Sequence, residues 1–239
     1  MTDLCAIAKR CKTDKVGYGY TTIYSSFFEK MREKEINIFE IGICEGASLK
    51  MWEEYFLNGQ IYAMDYAEDG SMRISSDFIM SLNTGRAHTF IGDQNKREDL
   101  NKCMNKFNTK FDIMIDDGHH FQSPQQVSLG FLFSYLKSGG LYVIEDICSI
   151  WNMKNGSEWG QKDRINFTDS TQKILENFLE KGSFSSQYMT NEESDYVNKN
   201  IESIKMFYPR QFQRGELLGP KTPDSPNIGT SIVAIIKKK

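Results

Sequence analysis

The sequence predicts an α/β chain wound on both faces of a parallel sheet. Short apolar runs alternate five times with helix-like stretches. One run, Leu141-Tyr-Val-Ile, is apolar throughout, as a strand buried on both faces must be. A third feature says where such a sheet would work. Two of the runs end in paired carboxylates, Asp116 with Asp117 and Glu145 with Asp146, and His119 and His120 follow the first pair. Charge at the edge of a core is costly unless it is partnered, so these acids call for a ligand or a counter-charge.

The elements follow in order. Residues 2–12 read as a short helix capped by Thr2, and 13–20 as a glycine- and tyrosine-bearing loop. Residues 25–34 form an amphipathic helix with Phe27, Phe28 and Met31 on one side. Strand 36–41 ends at Gly42 and leads through Ile-Cys-Glu-Gly-Ala-Ser into a helix over 47–56. A second strand, 61–64, closes at Asp65, and 70–82 is polar and helical. Strand 88–91 closes at Gly92-Asp93-Gln94 and precedes a helix over 97–107. Strand 112–115, helix 124–135, a turn at 137–140 and strand 141–144 complete the alternation. After a polar insert at 150–168 come a helix over 170–181 and two last strands, 204–208 and 231–236. Pro220, Pro223 and Pro226 between those strands mark a loop rather than a linker, so the 239 residues are expected to form one domain.

Composition narrows the function. Hydrophobic content of 39% and charged content of 26% exclude a disordered chain. A net charge of −3 supplies no basic field for nucleic acid, and no apolar run reaches membrane-spanning length. The opening MTDLCAIAKRCKTDK lacks a signal-peptide core, and the five cysteines are scattered without a CxxC. These features predict free thiols and a cytoplasmic location. The two glycosylation sequons, at Asn155 and Asn166, read as chance.

The loop after the first strand lets a ligand approach backbone and helix N-terminus. It is neither GxGxxG nor a phosphate loop. Glu40 and Glu45 flank its glycines, which disfavours a pyrophosphate and favours a cationic ligand. Asp65, at the end of the next strand, stands where an acid binds ribose hydroxyls, and Asp93 and Gln94 lie on the same rim, where an adenine edge could be read. A glycine turn alone equally serves a tight strand–helix connection. With these acids it points to a positively charged nucleoside without phosphates, S-adenosylmethionine.

Strands four and five, if adjacent, lie ~4.8 Å apart, so their terminal acids face each other. Converging oxygens without thiolates suit a hard divalent ion such as Mg²⁺. His120, three residues past Asp117, overhangs such an ion and can accept a proton from a hydroxyl it acidifies. Any one of these acids would equally serve as a helix cap or a solvated loop end.

The segments KTDKVGYGYTTIY, FEIGICEGASLKMW, IDDGHH and LKSGGLYVIEDI resemble the class I S-adenosylmethionine-dependent methyltransferases. More narrowly they resemble the metal-dependent sugar O-methyltransferases of the macrocin/mycinamicin type and relatives described as cephalosporin hydroxylases. The resemblance covers roughly residues 12–150. It implies a Rossmann-like, doubly wound seven-stranded sheet with helices on both faces and the last strand antiparallel. It implies an N-terminal helical cap over 1–35 and loops 150–168 and 209–229 on the active-site face. Asp117, Glu145 and Asp146 would bind Mg²⁺ (or Mn²⁺), and His120, with Asp117, would be catalytic. The cofactor set becomes Tyr20, Thr21, Glu40, Gly42, Glu45, Ser48, Asp65, Tyr66, Asp93, Gln94, Asp116 and His119. His119 stands where the family pattern Asp-Asp-Gly-Ser-His has serine, so it competes with His120 for the base role. Trp151 and Trp159 either stack on a sugar ring or pin their loop.

The function expected is Mg-dependent O-methylation of a sugar hydroxyl on a glycan or glycosylated natural product. A catechol-like acceptor and a non-catalytic cofactor-binding protein are the rival readings. An iron hydroxylase is weaker, because only His88 could partner the adjacent histidines. The partner expected is a small-molecule or glycan acceptor, not nucleic acid or membrane, with a homo-oligomer left open.

Overall fold

The computed structural model describes residues 3–67, 75–148, 169–208, 212–213, 216–217 and 231–239. The helices are α1 (Asp3–Cys11), α2 (Tyr20–Phe28), α3 (Ala47–Tyr55), α4 (Ser76–Ser81), α5 (Arg97–Phe107), α6 (Gln122–Leu132), α7 (Thr171–Lys181) and α8 (Asn191–Asn200). The strands are β1 (Asn37–Ile41), β2 (Gln60–Asp65), β3 (Ala87–Ile91), β4 (Phe111–Asp116), β5 (Leu136–Cys148), β6 (Ile201–Phe207), the two-residue β7 (Phe212–Gln213) and β8 (Glu216–Leu217), and β9 (Ser231–Lys238). Seven of them form one sheet in the order β3-β2-β1-β4-β5-β9-β6, with β7 and β8 pairing separately. β9 alone runs antiparallel to its neighbours in that sheet. The doubly wound, seven-stranded architecture is therefore as expected.

Alternation along the strands divides the core. Ile38, Ile113, Ile115, Val143 and Ile235 pack with Tyr24, Phe28, Leu49 and Trp52 from α2 and α3. Phe39, Met114, Tyr142, Ile144 and Ile236 pack on the other face with Leu100, Leu129, Ile174 and Val197 from α5 to α8. Parallel strands place their carboxyl ends on one rim, and every candidate acid lies at or just past that rim.

Local differences from the expected elements have identifiable causes. α2 starts earlier than expected, at Tyr20, and ends in a 3-10 turn over Glu29–Met31. The preceding loop contains a 3-10 turn, Asp14–Val16, in which the Lys15 N–H donates to the Thr13 side chain. Only the end of the 70–82 segment is described as helix, from Ser76, with Ser75 as its cap. The turn expected at 137–140 lies inside β5, whose ladder with β4 skips from Phe111–Leu136 to Ile113–Leu141. α8 was not anticipated, because NEESDYVNKN carries almost no apolar stripe. Its signal is a capping box, Thr190 with Glu193, and Arg97 of α5 grips Glu193 through Nε at 2.8 Å and Nη2 at 2.6 Å. The insert at 150–168, with Trp151 and Trp159, and nearly all of the loop at 209–229 lie outside the described residues.

Gly42 fixes how closely the two central strand ends meet. Its φ is +95°, and a Cβ there would collide with the Asp117 carbonyl oxygen. Asp117 N–H in turn donates to the Ile41 carbonyl at 3.0 Å. Gly42→Ala is expected to cost at least about 2 kcal/mol, a fall of roughly 4–8 °C in Tm. An unchanged melting curve would contradict this close approach.

Candidate active site

A cavity of about 760 Å³ opens at the rim where β1 to β5 end. Of the residues expected at the site, Gly42, Glu45, Ser48, Asp65, Tyr66, Asp93, Gln94, Asp117, His119, His120 and Asp146 line it. Tyr20, Thr21, Glu40, Asp116 and Glu145 are buried behind its wall. Lys12, Thr13, Asp14 and Lys15 also line it, so the N-terminal segment closes one side.

The glycine loop is held by its neighbour strand. Asp65 Oδ2 accepts from the backbone N–H groups of Ile43 at 2.7 Å and Cys44 at 2.9 Å. Glu40 points beneath the loop, where Ser48 Oγ donates to it at 2.7 Å and Trp52 Nε1 at 3.1 Å. Burial pushes the Glu40 carboxyl up to about 7, against the pull of the Lys15 ammonium.

Alternation sends the two acids after Ile115 apart. Asp116 faces the α6 side, where Gln94 Nε2 donates to its Oδ1 at 3.1 Å. The same Gln94 nitrogen reaches Ser128 Oγ, and Gln94 Oε1 accepts from His119 N–H at 2.6 Å. Gln94 therefore uses its amide to hold the Asp116–His120 loop. Asp116 Oδ2 is buried with no hydrogen-bond partner, and burial pushes this carboxyl up to about 7. Asp117 turns the opposite way and meets Lys15 Nζ.

In β5 the alternation breaks. The ladder with β9 shifts register between Ile144 and Ile147, and Asp146 adopts φ +50°. One extra residue on β5 is a β-bulge, and it brings Glu145 and Asp146 to the same side of the sheet. Gln125 Nε2 of α6 donates to the Glu145 carbonyl at 3.0 Å and pins the bulge. Tyr24 O–H donates to Glu145 Oε1 at 2.6 Å, and Tyr20 O–H donates to Asp146 Oδ1.

The residue that sequence reasoning missed is Lys15. Its side chain is 1% exposed, and its Nζ lies 2.9 Å from both Glu145 oxygens, 3.3 Å from Glu40 Oε1 and against Asp117 Oδ2. Burial opposes its charge, but Asp117, Glu145 and Glu40 outweigh that and hold the ammonium well above the usual lysine range. Burial, with Asp117 next, raises the Glu145 carboxyl well above the usual range. The available signal was the surplus of acids over any visible cation, beside a lysine in the motif KTDKVGYGY.

Among the described residues, two groups bring metal-ligating atoms within 4.8 Å of one another: Asp117, His120 and Asp146; and Glu40, Asp117 and Glu145. The expected metal set is thus split, with Glu145 in the inner, Lys15-filled group. His120 Nε2 lies 3.7 Å from Asp146 Oδ2, whereas His119 is exposed, its ring centroid 4.3 Å from that of Phe121. His88 sits on β3 against Gln60 at 3.1 Å and takes no part. Cys5, Cys11, Cys44 and Cys103 are in no disulfide.

No protein-family model matches the chain. Mycinamicin VI 2''-O-methyltransferase of Micromonospora griseorubida is 28% identical over 86% of this chain and 51% of that protein. Demethylmacrocin O-methyltransferase of Streptomyces fradiae is 35% identical over 61% of this chain and 36% of that protein. The solved MycE methyltransferase of the mycinamycin pathway, in complex with Mg and SAH, superposes with a TM-score of 0.69 at 26% identity. It covers 99% of this chain, which spans 53% of MycE. By fold and by sequence, the chain is a relative of the sugar O-methyltransferases. It spans about half the length, or less, of the curated relatives it matches. No helix among the described residues is long and apolar enough to cross a membrane.

Asp116 makes a pH test of this geometry. Burial pushes its folded carboxyl up to about 7, above the ordinary aspartate range, so the folded state holds the proton more tightly than the unfolded chain. The stability it contributes is complete below the unfolded value and lost as pH rises through the folded one. In chelator, Asp116→Asn is expected to shrink the fall in unfolding free energy between about pH 5 and about pH 8 by about 2 kcal/mol. Urea unfolding at the two pH values measures this, and an unchanged difference would contradict the burial of Asp116.

Proposed function

We propose that the chain binds S-adenosylmethionine along its glycine loop and transfers the methyl group to a sugar hydroxyl held beside Asp117, His120 and Asp146. The observation that carries this reading is continuity. One cavity runs from Gly42 and Asp65 to those three residues, so a cofactor at one end presents its methyl group to an acceptor at the other. The names of the relatives support the substrate class, since each is an O-methyltransferase and three name a rhamnosyl or olivosyl compound as what they act on.

Asp65 lines the cavity, where its carboxylate would take the ribose hydroxyls, and the exposed Glu45 carboxylate favours a cationic cofactor over a phosphorylated one. Asp117 and Asp146 are the oxygen donors that would hold Mg²⁺ or Mn²⁺, and a hard ion's preference for oxygen leaves the His120 imidazole for the proton. Such an ion, when bound, supplies acidification of an acceptor hydroxyl. His120 takes the hydroxyl proton as the oxygen bonds to the methyl carbon and the carbon–sulfur bond breaks, leaving a neutral thioether. Asp146, beside His120, stabilises the imidazolium that results.

Calorimetry should show S-adenosylhomocysteine binding to the chain. Release of S-adenosylhomocysteine from S-adenosylmethionine with a panel of glycosides should be abolished by chelator. Asp117→Asn and His120→Ala are each expected to lower turnover by about 100-fold or more while leaving S-adenosylhomocysteine affinity within about threefold. Full activity in either variant would overturn its assigned role, and release with catechols but not glycosides would overturn the substrate class.

A further inference from the structure

The amino-acid end of the proposed cofactor is a zwitterion, an α-ammonium beside an α-carboxylate. Most of the glycine loop is already occupied with its own structure. The amides of Gly42, Ile43, Cys44 and Gly46 donate to the Met64 carbonyl, to Asp65 Oδ2 twice and to the Ile43 carbonyl. Glu40 is buried against Ser48 and Trp52, with Lys15 Nζ 3.3 Å from its other oxygen. Recognition of the two charges is thereby shifted toward side chains on the cavity wall.

The segment after α1 presents one charge of each sign. α1 ends with the Lys12 N–H bonded to the Lys9 carbonyl at 3.3 Å and the Thr13 N–H reaching back to the Ala8 carbonyl at 3.2 Å. Glycine is the usual residue at the left-handed position of such an ending, yet here it is Lys12, at φ +61°. Thr13 and Lys15 then turn into the protein while Lys12 and Asp14 stay exposed, and all four line the cavity. Among the described residues, neither the Lys12 nor the Asp14 side chain has a hydrogen bond or an ion pair. Cys44, Glu45, Ala47 and Ser48 line the same cavity. The field of Asp14 extends to that wall: burial raises the Cys44 thiol above its ordinary range, with Glu45, Asp65 and Asp14 adding to the rise. Burial likewise raises the Tyr18 phenol, with Asp146 and then Asp14 adding to it. Asp14 is therefore within electrostatic reach of both the glycine loop and the acids at the end of β5.

We infer that Lys12 and Asp14 hold the amino-acid end of the cofactor, the Lys12 ammonium pairing with its α-carboxylate and the Asp14 carboxylate with its α-ammonium. Both are cofactor-binding residues with no part in the proton transfer. The N-terminal segment's contact with the cofactor thus moves from Tyr20 and Thr21, which are buried behind the wall, to the turn that precedes them. The inference rests on the proposed cofactor binding and deepens it.

Calorimetry of the whole chain with S-adenosylhomocysteine, decarboxylated S-adenosylhomocysteine and methylthioadenosine tests it, because these ligands lose first the carboxylate and then the ammonium. Lys12→Gln and Asp14→Asn are exposed replacements expected to fold, which circular dichroism checks. Each is expected to weaken S-adenosylhomocysteine by about tenfold or more and methylthioadenosine by less than about threefold. Lys12→Gln should leave the decarboxylated ligand within about threefold, and Asp14→Asn should weaken it by about tenfold or more. Unchanged S-adenosylhomocysteine affinity in Lys12→Gln would leave the carboxylate to the first turn of α3 and overturn the inference. So would loss of the decarboxylated ligand in Glu45→Gln but not in Asp14→Asn, which would put the ammonium on Glu45. Equal weakening of all the ligands in either variant would show a merely structural role and also overturn it. A parent that binds none of the ligands refutes the cofactor reading itself, and this inference with it. A parent that binds them, with variants that bind equally well, refutes this inference alone.

Discussion

The structure depends on the neutralisation of acids at the carboxyl ends of β1, β4 and β5 by the single ammonium of Lys15. Three carboxylates converge there, and two of them are fully buried. Removing one partner from such a buried cluster leaves uncompensated charge and typically costs about 3–5 kcal/mol. The pairing also joins chain segments that are distant in sequence. The lysine comes from the N-terminal cap, and its partners lie 102 and 130 positions away. The cap is therefore part of the site's wall as well as a cover for one face of the sheet.

Two departures from plain strand geometry turn that constraint into a site. The left-handed Gly42 lets the backbones of the β1 and β4 ends approach closely, so the glycine loop and the Asp116–His120 loop share one cavity. The bulge at Asp146 sets two neighbouring acids of β5 on one side of the sheet, where regular alternation would separate them. Asp116 obeys the alternation and consequently belongs to the opposite face, with Gln94 and Ser128. The acids thus form an inner layer that binds the protein's own cation and an outer layer that opens on the cavity.

Much of this was legible in the sequence, for physical reasons. Uninterrupted apolar strands ending in glycine or aspartate gave away a parallel sheet with its working rim, and the run from Asp116 to His120 marked the centre of that rim. Gln94 was legible as a rim residue, but its amide is spent on Asp116, Ser128 and His119. Three things were not visible. A bulge leaves no mark in an apolar pattern, so Glu145 and Asp146 could not be sorted into layers. A long-range ion pair has no local period, so Lys15 looked like any loop lysine. α8 is held by a capping box and the Arg97–Glu193 pair rather than by an apolar face, so periodicity passed it over.

The MycE methyltransferase of the mycinamycin biosynthetic pathway shares this fold over nearly the whole chain, and the acids at the ends of β4 and β5 give a physical account of how such a fold would place one ion beside one imidazole. The most direct test is crystallography of the chain with Mn²⁺ and S-adenosylhomocysteine, using anomalous scattering to locate the ion. The account predicts a peak at the carboxyl ends of β4 and β5, against Asp117 and Asp146 and beside His120. No peak at that rim, or one remote from Asp117, would contradict it.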